Sequence, residues 1–486
     1  MRSFYRQNKT IILLLVLALI LRLIAINQSL WLDEAIGAVA VRDLSYSGLI
    51  NSFLRSDNHP PLYYLMLKAW SGLFGYSELS LRMPSVIFGV STVYFVYLIG
   101  KRISAKRSVA VLAALLLATS PFHIYYSQEA RMYALTGLFA SMAVYTFLFL
   151  MEKKAGASYW ILFSFSITIL LFSDYVPVFL IPVFWLVGFV KKMGSKWWGK
   201  FVMAHIPLLA IGMVWLPTFL IQVGKGGWLL EKLPAWRGVA GGATIKQAAL
   251  VWVKFVLGRI SFSDKLFYYS LIVIASFPFA IALAVALKRR KDVSTVWLWL
   301  VLPLTLGFIA SFWFPVFIYF RFLYVVPAFY LLVSWGVNHL RLLIRFVIIA
   351  SLLLINAFGW LVYITVPYQQ RENWREATNF IENAAKEKDV VIFEFPEPFA
   401  PYRWYSKGKV EAVGATDSIS ADKKMTMEKV ARAVENKSGV YYFEYLRDLS
   451  DPGRAVEQTL EKQGFSLAEV YNYFPGLGQI SYYIKK

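Results

Sequence analysis

Eleven stretches of nearly uninterrupted apolar residues mark this chain, at about 10–27, 83–100, 108–124, 132–151, 158–174, 176–190, 200–222, 266–287, 294–313, 316–337 and 342–364. Each approaches the ~20 residues an apolar helix needs to cross a bilayer. Pro177, Pro182, Pro303 and Pro327 fall inside them, which lipid tolerates because neighbouring helices satisfy the freed carbonyls. Two long loops, 28–82 and 223–265, interrupt the series. The first holds the short amphipathic segments "AIGAVAVRDL" and "PLYYLMLKAWSGLFG", which suit helices lying along the membrane interface. Beyond residue 366 the pattern changes. There "WREATNFIENAAKEKDVVIFEF" predicts an amphipathic helix followed by a strand, and "GVYYFEY" and "GQISYYIKK" predict two more strands. The pattern therefore predicts an α-helical polytopic membrane domain over 1–366, with about eleven (11–13) transmembrane helices, and a small α/β domain over 367–486. No internal repeat or low-complexity segment is visible.

Composition agrees with that division. Of 486 residues, 58% are hydrophobic and only 16% charged, against roughly 25% charged in soluble domains. No cysteine is present, which excludes disulfides and thiolate metal sites. The four histidines show no zinc spacing. A net charge of +21 invites a nucleic-acid partner, and its distribution rejects one. Residues 368–486 carry 17 basic and 18 acidic groups, so the whole excess lies in the membrane half.

That excess falls on every second loop: Arg2, Arg6 and Lys9; Lys101, Arg102, Lys106 and Arg107; Lys153 and Lys154; Lys191, Lys192, Lys196 and Lys200; Lys288, Arg289, Arg290 and Lys291; Arg341 and Arg345. The loops at 174–177 and 312–316 have none. By the positive-inside rule the N-terminus is cytoplasmic and the C-terminal domain extracytoplasmic, in a multi-pass protein of the cell membrane. The first stretch resembles a signal peptide but has no small-residue cleavage site, and reads as a retained span.

Nine of the eleven acids in the membrane half then collect at the outer rim, where carboxylates are costly unless solvated or paired. Asp33 and Glu34 stand together directly after the first span, in "WLDEA". Close like charges push each other's pKa values apart, so one of two adjacent carboxylates can become a base. A helix N-cap is the rival role, although one acid would suffice for it. Other groups converge on the same rim: His59 before two prolines in "SDNHPPLYYL", Glu129 and Arg131 in "YYSQEARMYAL", and Asp174 and Tyr175 in "LFSDYVP". Arg321 stands about a turn inside an apolar span and needs an anion there. Either Glu129 or Asp174 could pair with it, or a phosphate could, since guanidinium groups match phosphate geometry.

"WLDEA", "HPPLYYLMLKAWSGLFGYSELSLRMPSVIFGV", "YSQEARMYAL" and "FRFLYVVPA" together resemble the bacterial branch of the dolichyl-phosphate-mannose protein mannosyltransferase family. That branch has the type C glycosyltransferase fold and includes lipid A aminoarabinose transferase relatives. The resemblance runs over about residues 10–340. It implies a sugar donor carried on polyprenyl phosphate, used at the outer face, and an acceptor hydroxyl on a glycan, lipid or protein. Asp33 occupies the family's catalytic acidic position, with Glu34 beside it. The family's late R-Y-L is here Arg321-Phe322-Leu323, which keeps the aromatic ring without its hydroxyl.

A polyprenyl phosphate is already a good leaving group, so the demand is for cations around it. Arg131, Arg321 and Arg82 are the candidates. Asp33 is the expected base, one displacement inverts the anomeric carbon, and His59, Glu129, Asp174 and Tyr175 are expected to line the substrate. No cofactor is expected: a divalent ion at Asp33 and Glu34 lacks an obvious third ligand. Two other classes compete, a transporter or flippase of lipid-linked glycans and an outer-leaflet ligase. A transporter would show repeated halves and mid-membrane charges.

Overall fold

A computed structural model of the protein describes residues 2–152, 155–234, 236–394 and 396–486. The basic pair Lys153 and Lys154 lies outside the described residues. The molecule is mostly helical, a bundle of apolar helices with one small sheet domain against one end. Helix α1 (Arg2–Leu23) and helix α2 (Leu32–Asp43) flank the first turn of the chain at that end. Both amphipathic segments of the first long loop are helical, α2 and Leu62–Phe74. Gly75, at φ 82°, ends the second of these in a conformation that side-chain-bearing residues rarely adopt. Ser77 then starts the Glu78–Ile103 helix, its side chain accepting from the Ser80 amide.

Helices occupy all eleven apolar stretches. Fewer than eleven cross by length alone. Among the described residues seven helices are long and apolar enough to span, or eight if one bent pair counts as a single span. The segments Ala157–Ser173 and Val176–Val190 are shorter, because the chain breaks at Asp174 and resumes through a 3-10 turn at Val176–Leu180. The bent pair is Arg107–Thr119 with Pro121–Ser127, meeting at 60°. Pro121 is the cause: it lacks an N–H and its ring clashes with the preceding turn, but it suits a new helix start, which Ser120 caps by accepting from the His123 amide. Prolines 177, 182 and 327 likewise sit in the first turn of a helix, whereas Pro303 lies inside one.

Helix packing relies on small residues where backbones meet. A Cβ added to Gly336 would fall 1.8 Å from the Ala282 carbonyl oxygen, so the Val326–Val337 and Lys265–Lys288 helices touch there backbone to backbone. Val326–Val337 is buried along its whole length, whereas the 38-residue helix Ser195–Lys232 is almost entirely exposed and apolar, as a lipid-facing helix must be.

The C-terminal sheet has five strands: β1 (Asp389–Phe393), β2 (Glu411–Gly414), β3 (Gly439–Phe443), β4 (Phe465–Tyr471) and β5 (Ile480–Lys485), in the order β2-β1-β3-β5-β4. β1 pairs in parallel with β2 and β3, and β5 is antiparallel to β3 and β4. The expected helix is Trp374–Ala384, and the three expected strands are β1, β3 and β5. Its Trp374, fully buried, stacks on Phe443 and anchors the helix to the sheet.

Candidate active site

The segment 26–32 between α1 and α2 is pinned by the start of the Glu78–Ile103 helix. Arg82 is completely buried and donates to the carbonyls of Ile26 (2.6 Å), Gln28 (2.6 Å) and Ser29 (3.0 Å). Its Nε and Nη2 also donate to Glu34 Oε1 and Oε2, at 2.9 and 2.6 Å. Glu34 Oε1 further accepts from the Ala130 amide at 2.7 Å. Burial alone would raise the Glu34 carboxyl, but Arg82 and then Arg371 outweigh it and keep it below the usual range. This corrects the sequence reading of two residues. Glu34 and Arg82 saturate each other, with 0% side-chain exposure on both, and leave nothing free for a substrate.

Asp33, one residue earlier on α2, is the opposite case. Its carboxylate is 38% exposed and lies 3.5 Å from Arg131 Nη2. It makes no hydrogen bond among the described residues, so α2 and the ion pair with Arg131 aim it. Arg131 is fixed from behind. Nη1 donates to the Tyr64 hydroxyl at 2.7 Å, Nη2 lies 3.4 Å from His59 Nε2, and Nε has no partner. Since a guanidinium only donates, His59 Nε2 must accept and Nδ1 carries the hydrogen, which it donates to Asp57 at 3.1 Å. Burial pushes the Asp57 carboxyl up, but His59 and Arg131 together bring it down to about 2. Asp57, His59, Arg131 and Asp33 thus form one chain of alternating charge and dipole that ends at the open carboxylate.

Glu129 belongs to a second group. Its Oε2 accepts from Arg371 Nη1 at 3.2 Å while Oε1 is buried without a partner. Burial raises its carboxyl above the usual range, against the pull of Arg371. Arg371 also donates to the Tyr125 and Gln128 carbonyls, both at 3.1 Å, and lies 4.3 Å from the Tyr125 ring centre. Arg259, exposed, lies 4.8 Å from that ring centre and donates to the Tyr125 hydroxyl.

Asp174 and Tyr175 make no hydrogen bond to the side chains of either group among the described residues. Asp174 folds back on the Val176 amide, at 3.1 Å. The Tyr175 hydroxyl donates to Gln222 Oε1 at 2.6 Å, and Gln222 Nε2 donates to the carbonyls of Leu54 and His59. Tyr175 therefore supports the His59 backbone through Gln222. Arg321 is half-buried on the 3-10 segment Tyr319–Val325, whose Phe320 packs on Tyr126 and Tyr133. Among the described residues it forms no ion pair, with Glu129, Asp174 or any other acid.

Tyr64, Arg259 and Arg371 escaped the sequence reading, and Asp57 entered it only as one of the nine outer-rim acids. The "HPP" neighbourhood could have suggested Asp57 and Tyr64; nothing local marks Arg371, which reaches Glu129 from 242 residues away. Among the described residues no three His, Asp or Glu side chains converge as a metal site.

Comparison with known proteins gives this geometry a context. Residues 58–221 match the family model of the dolichyl-phosphate-mannose-protein mannosyltransferases. The fold is similar to ArnT from Cupriavidus metallidurans bound to undecaprenyl phosphate, with a TM-score of 0.58 and 10% identity over 98% of each chain. It is similar as well to the archaeal oligosaccharyltransferase AglB from Archaeoglobus fulgidus, solved with an inhibitory peptide and a dolichol-phosphate. There the TM-score is 0.53 at 12% identity, over 98% of this chain and 74% of that one. An uncharacterised protein of Aquifex aeolicus is 25% identical over 174 residues, 36% of this chain and 32% of its own length. The chain thus spans about a third of that relative. The shared architecture is the type C glycosyltransferase fold.

Proposed function

We propose that this chain, with its type C glycosyltransferase fold and its mannosyltransferase-family segment at 58–221, moves a sugar from a polyprenyl-phosphate carrier to an acceptor hydroxyl, with inversion. One observation carries the reading: a single open carboxylate, Asp33, 3.5 Å from the Arg131 guanidinium at the loop end of an apolar bundle. A base and a phosphate-binding cation lie side by side where a membrane-bound carrier would present its phosphate.

In this reading Asp33 takes the proton of the acceptor hydroxyl as that oxygen attacks the anomeric carbon. The bond from that carbon to the phosphate oxygen breaks, and its electron pair leaves with the polyprenyl phosphate. No general acid is required; the developing charge needs preorganised cations. Arg131, with a free Nε, the unpaired Arg321 and the exposed Arg259 answer that need. His59 holds Arg131, while Glu34 and Arg82 hold the helix that carries Asp33. The acceptor is a glycan, lipid or protein hydroxyl, and hexosyl and pentosyl donors remain alternatives for assay. Incubating the purified protein with a panel of polyprenyl-phosphate sugars tests the reading: one donor is consumed and free polyprenyl phosphate appears. No consumption across the panel would sink it.

The loop end faces outward in this reading, because basic clusters gather on alternate loops. A reporter active only in the cytoplasm, fused after Lys486, stays silent; a working reporter would reverse the orientation.

Arg321 gives a sharper test. Because it bridges to no acid, Arg321→Ala leaves the melting temperature in detergent near wild type. Donor binding weakens on the order of tenfold or more, as expected for loss of a charge-assisted contact of about 1.5–3 kcal/mol. Arg321→Lys falls between, since an ammonium cannot reproduce a bidentate contact. Unchanged donor affinity in Arg321→Ala would remove the residue from the phosphate site.

A further inference from the structure

The aim of Asp33 depends on how α2 begins, and its own N-terminal contact is a long one: the Trp31 amide donates to Glu34 Oε2 at 3.5 Å, which leaves the Leu32 amide without an acceptor from α2. Trp31 holds the N-cap position and its indole has no acceptor to offer the first amides. The Leu32 amide donates instead to Glu372 Oε2, 3.0 Å away and 340 residues later. That carboxylate is clamped by the C-terminal domain: Trp374 Nε1 donates to Oε2 at 2.8 Å and the Tyr445 hydroxyl to Oε1 at 2.7 Å. Tyr445 follows β3, and Trp374 stacks on Phe443 of β3 and meets Tyr445 edge-on, so the acceptor is held from the sheet. The same domain fastens the residues just before α2. The Arg371 amide donates to Gln28 Oε1, the Arg375 amide to Ser29 Oγ and the Leu30 amide to the Tyr405 hydroxyl, at 3.1, 3.1 and 2.7 Å.

We propose that Glu372 is a positioning residue for sugar transfer: it supplies, from the C-terminal domain, the acceptor that the Leu32 amide does not find within α2, and so fixes the direction of the Asp33 carboxylate. The inference rests on Asp33 being the base. Among the described residues Asp33 has no hydrogen bond of its own and only the 3.5 Å ion pair to Arg131 beside α2, so a helix start that frays shifts the carboxylate against that guanidinium. A displacement near 1 Å at a reacting group can cost on the order of a hundredfold in rate. The arrangement also makes transfer depend on the C-terminal domain.

Two substitutions remove the contact from opposite sides. Glu372→Ala deletes the acceptor. Leu32→Pro deletes the donor, and proline suits the first helical position after Trp31, which at φ −86° and ψ 172° already has the backbone a following proline requires. Leu32→Ala is the control, because it loses the buried side chain but keeps the amide. The assay uses the full-length protein and the polyprenyl-phosphate sugar it consumes fastest from the panel. The expected result is a fall in kcat of about ten- to a hundredfold in Glu372→Ala and Leu32→Pro, with donor KM unchanged. Hydrogen exchange should quicken at the amides of residues 33–35 in both. Glu372→Gln, which retains an oxygen for the Leu32 amide, should restore kcat to within a few-fold of wild type. Normal kcat in Leu32→Pro, or equal losses in Leu32→Ala and Leu32→Pro, would overturn the proposal. If Glu372→Ala fails to fold, the proline variant and the glutamine rescue still decide. Asp33→Asn run in parallel separates the two levels: if it transfers normally the reading of the base fails, and if it alone is inactive only the role of Glu372 fails.

Discussion

Asp33→Asn lowers transfer on the order of a hundredfold or more while leaving the fold and donor binding intact. The amide is isosteric with the carboxylate but cannot accept the acceptor's proton, and a positioned base contributes typically 10²–10⁴-fold. The fold should not notice, because Asp33 is 38% exposed and its one partner, Arg131, is already held by Tyr64 and His59. Donor binding should hold or improve slightly, since the change removes a negative charge 3.5 Å from a guanidinium assigned to phosphate. Steady-state kinetics and donor binding on the same preparation check this. A variant that loses donor affinity while keeping its turnover number would assign Asp33 to binding.

Arg82→Ala has the largest expected effect on stability. Both members of the Arg82–Glu34 pair are wholly buried, and removing one strands the other. Breaking such a pair costs about 3–5 kcal/mol. Here the loss extends further, because the carbonyls of Ile26, Gln28 and Ser29 also lose their donor. Melting in detergent should fall sharply and activity should follow it. The double variant Arg82→Met with Glu34→Leu should recover only part of the loss, since it removes the stranded charge but not the three orphaned carbonyls. Full activity in Arg82→Ala at a normal melting temperature would contradict this assignment.

The Arg82–Glu34 pair also shows where reading a sequence reaches its limit. Helices could be found because lipid demands apolar side chains over a fixed length whatever the packing, so all eleven stretches are helical. How many of them cross depends on breaks at Pro121 and Asp174, and those are set by tertiary neighbours. "DE" after the first span marked a place where one carboxylate is open and the other buried. It could not tell which acid faces the open site, because that depends on Arg82, 48 residues away, taking Glu34. Arg371 and Glu372 sit in a polar stretch, "YQQRENW", that reads as an ordinary linker. Their role exists only once the C-terminal domain docks beside residues 28–32. In that domain the buried strands β1 and β3 and the terminal β5 were legible. β2 has only four residues, and β4 is exposed along most of its length, so neither carried a clear apolar signal.

The anomeric configuration of the product tests the central claim most directly. A single displacement with Asp33 as base takes a donor of defined configuration at the phosphate and delivers the opposite anomer to the acceptor. Purified protein, a polyprenyl-phosphate sugar of known anomeric form and nuclear magnetic resonance of the glycosylated product give the answer in one experiment. Inversion is the predicted result. A retained configuration would contradict it, because the sugar would then have passed through a covalent intermediate on the protein, with Asp33 a nucleophile and not a base.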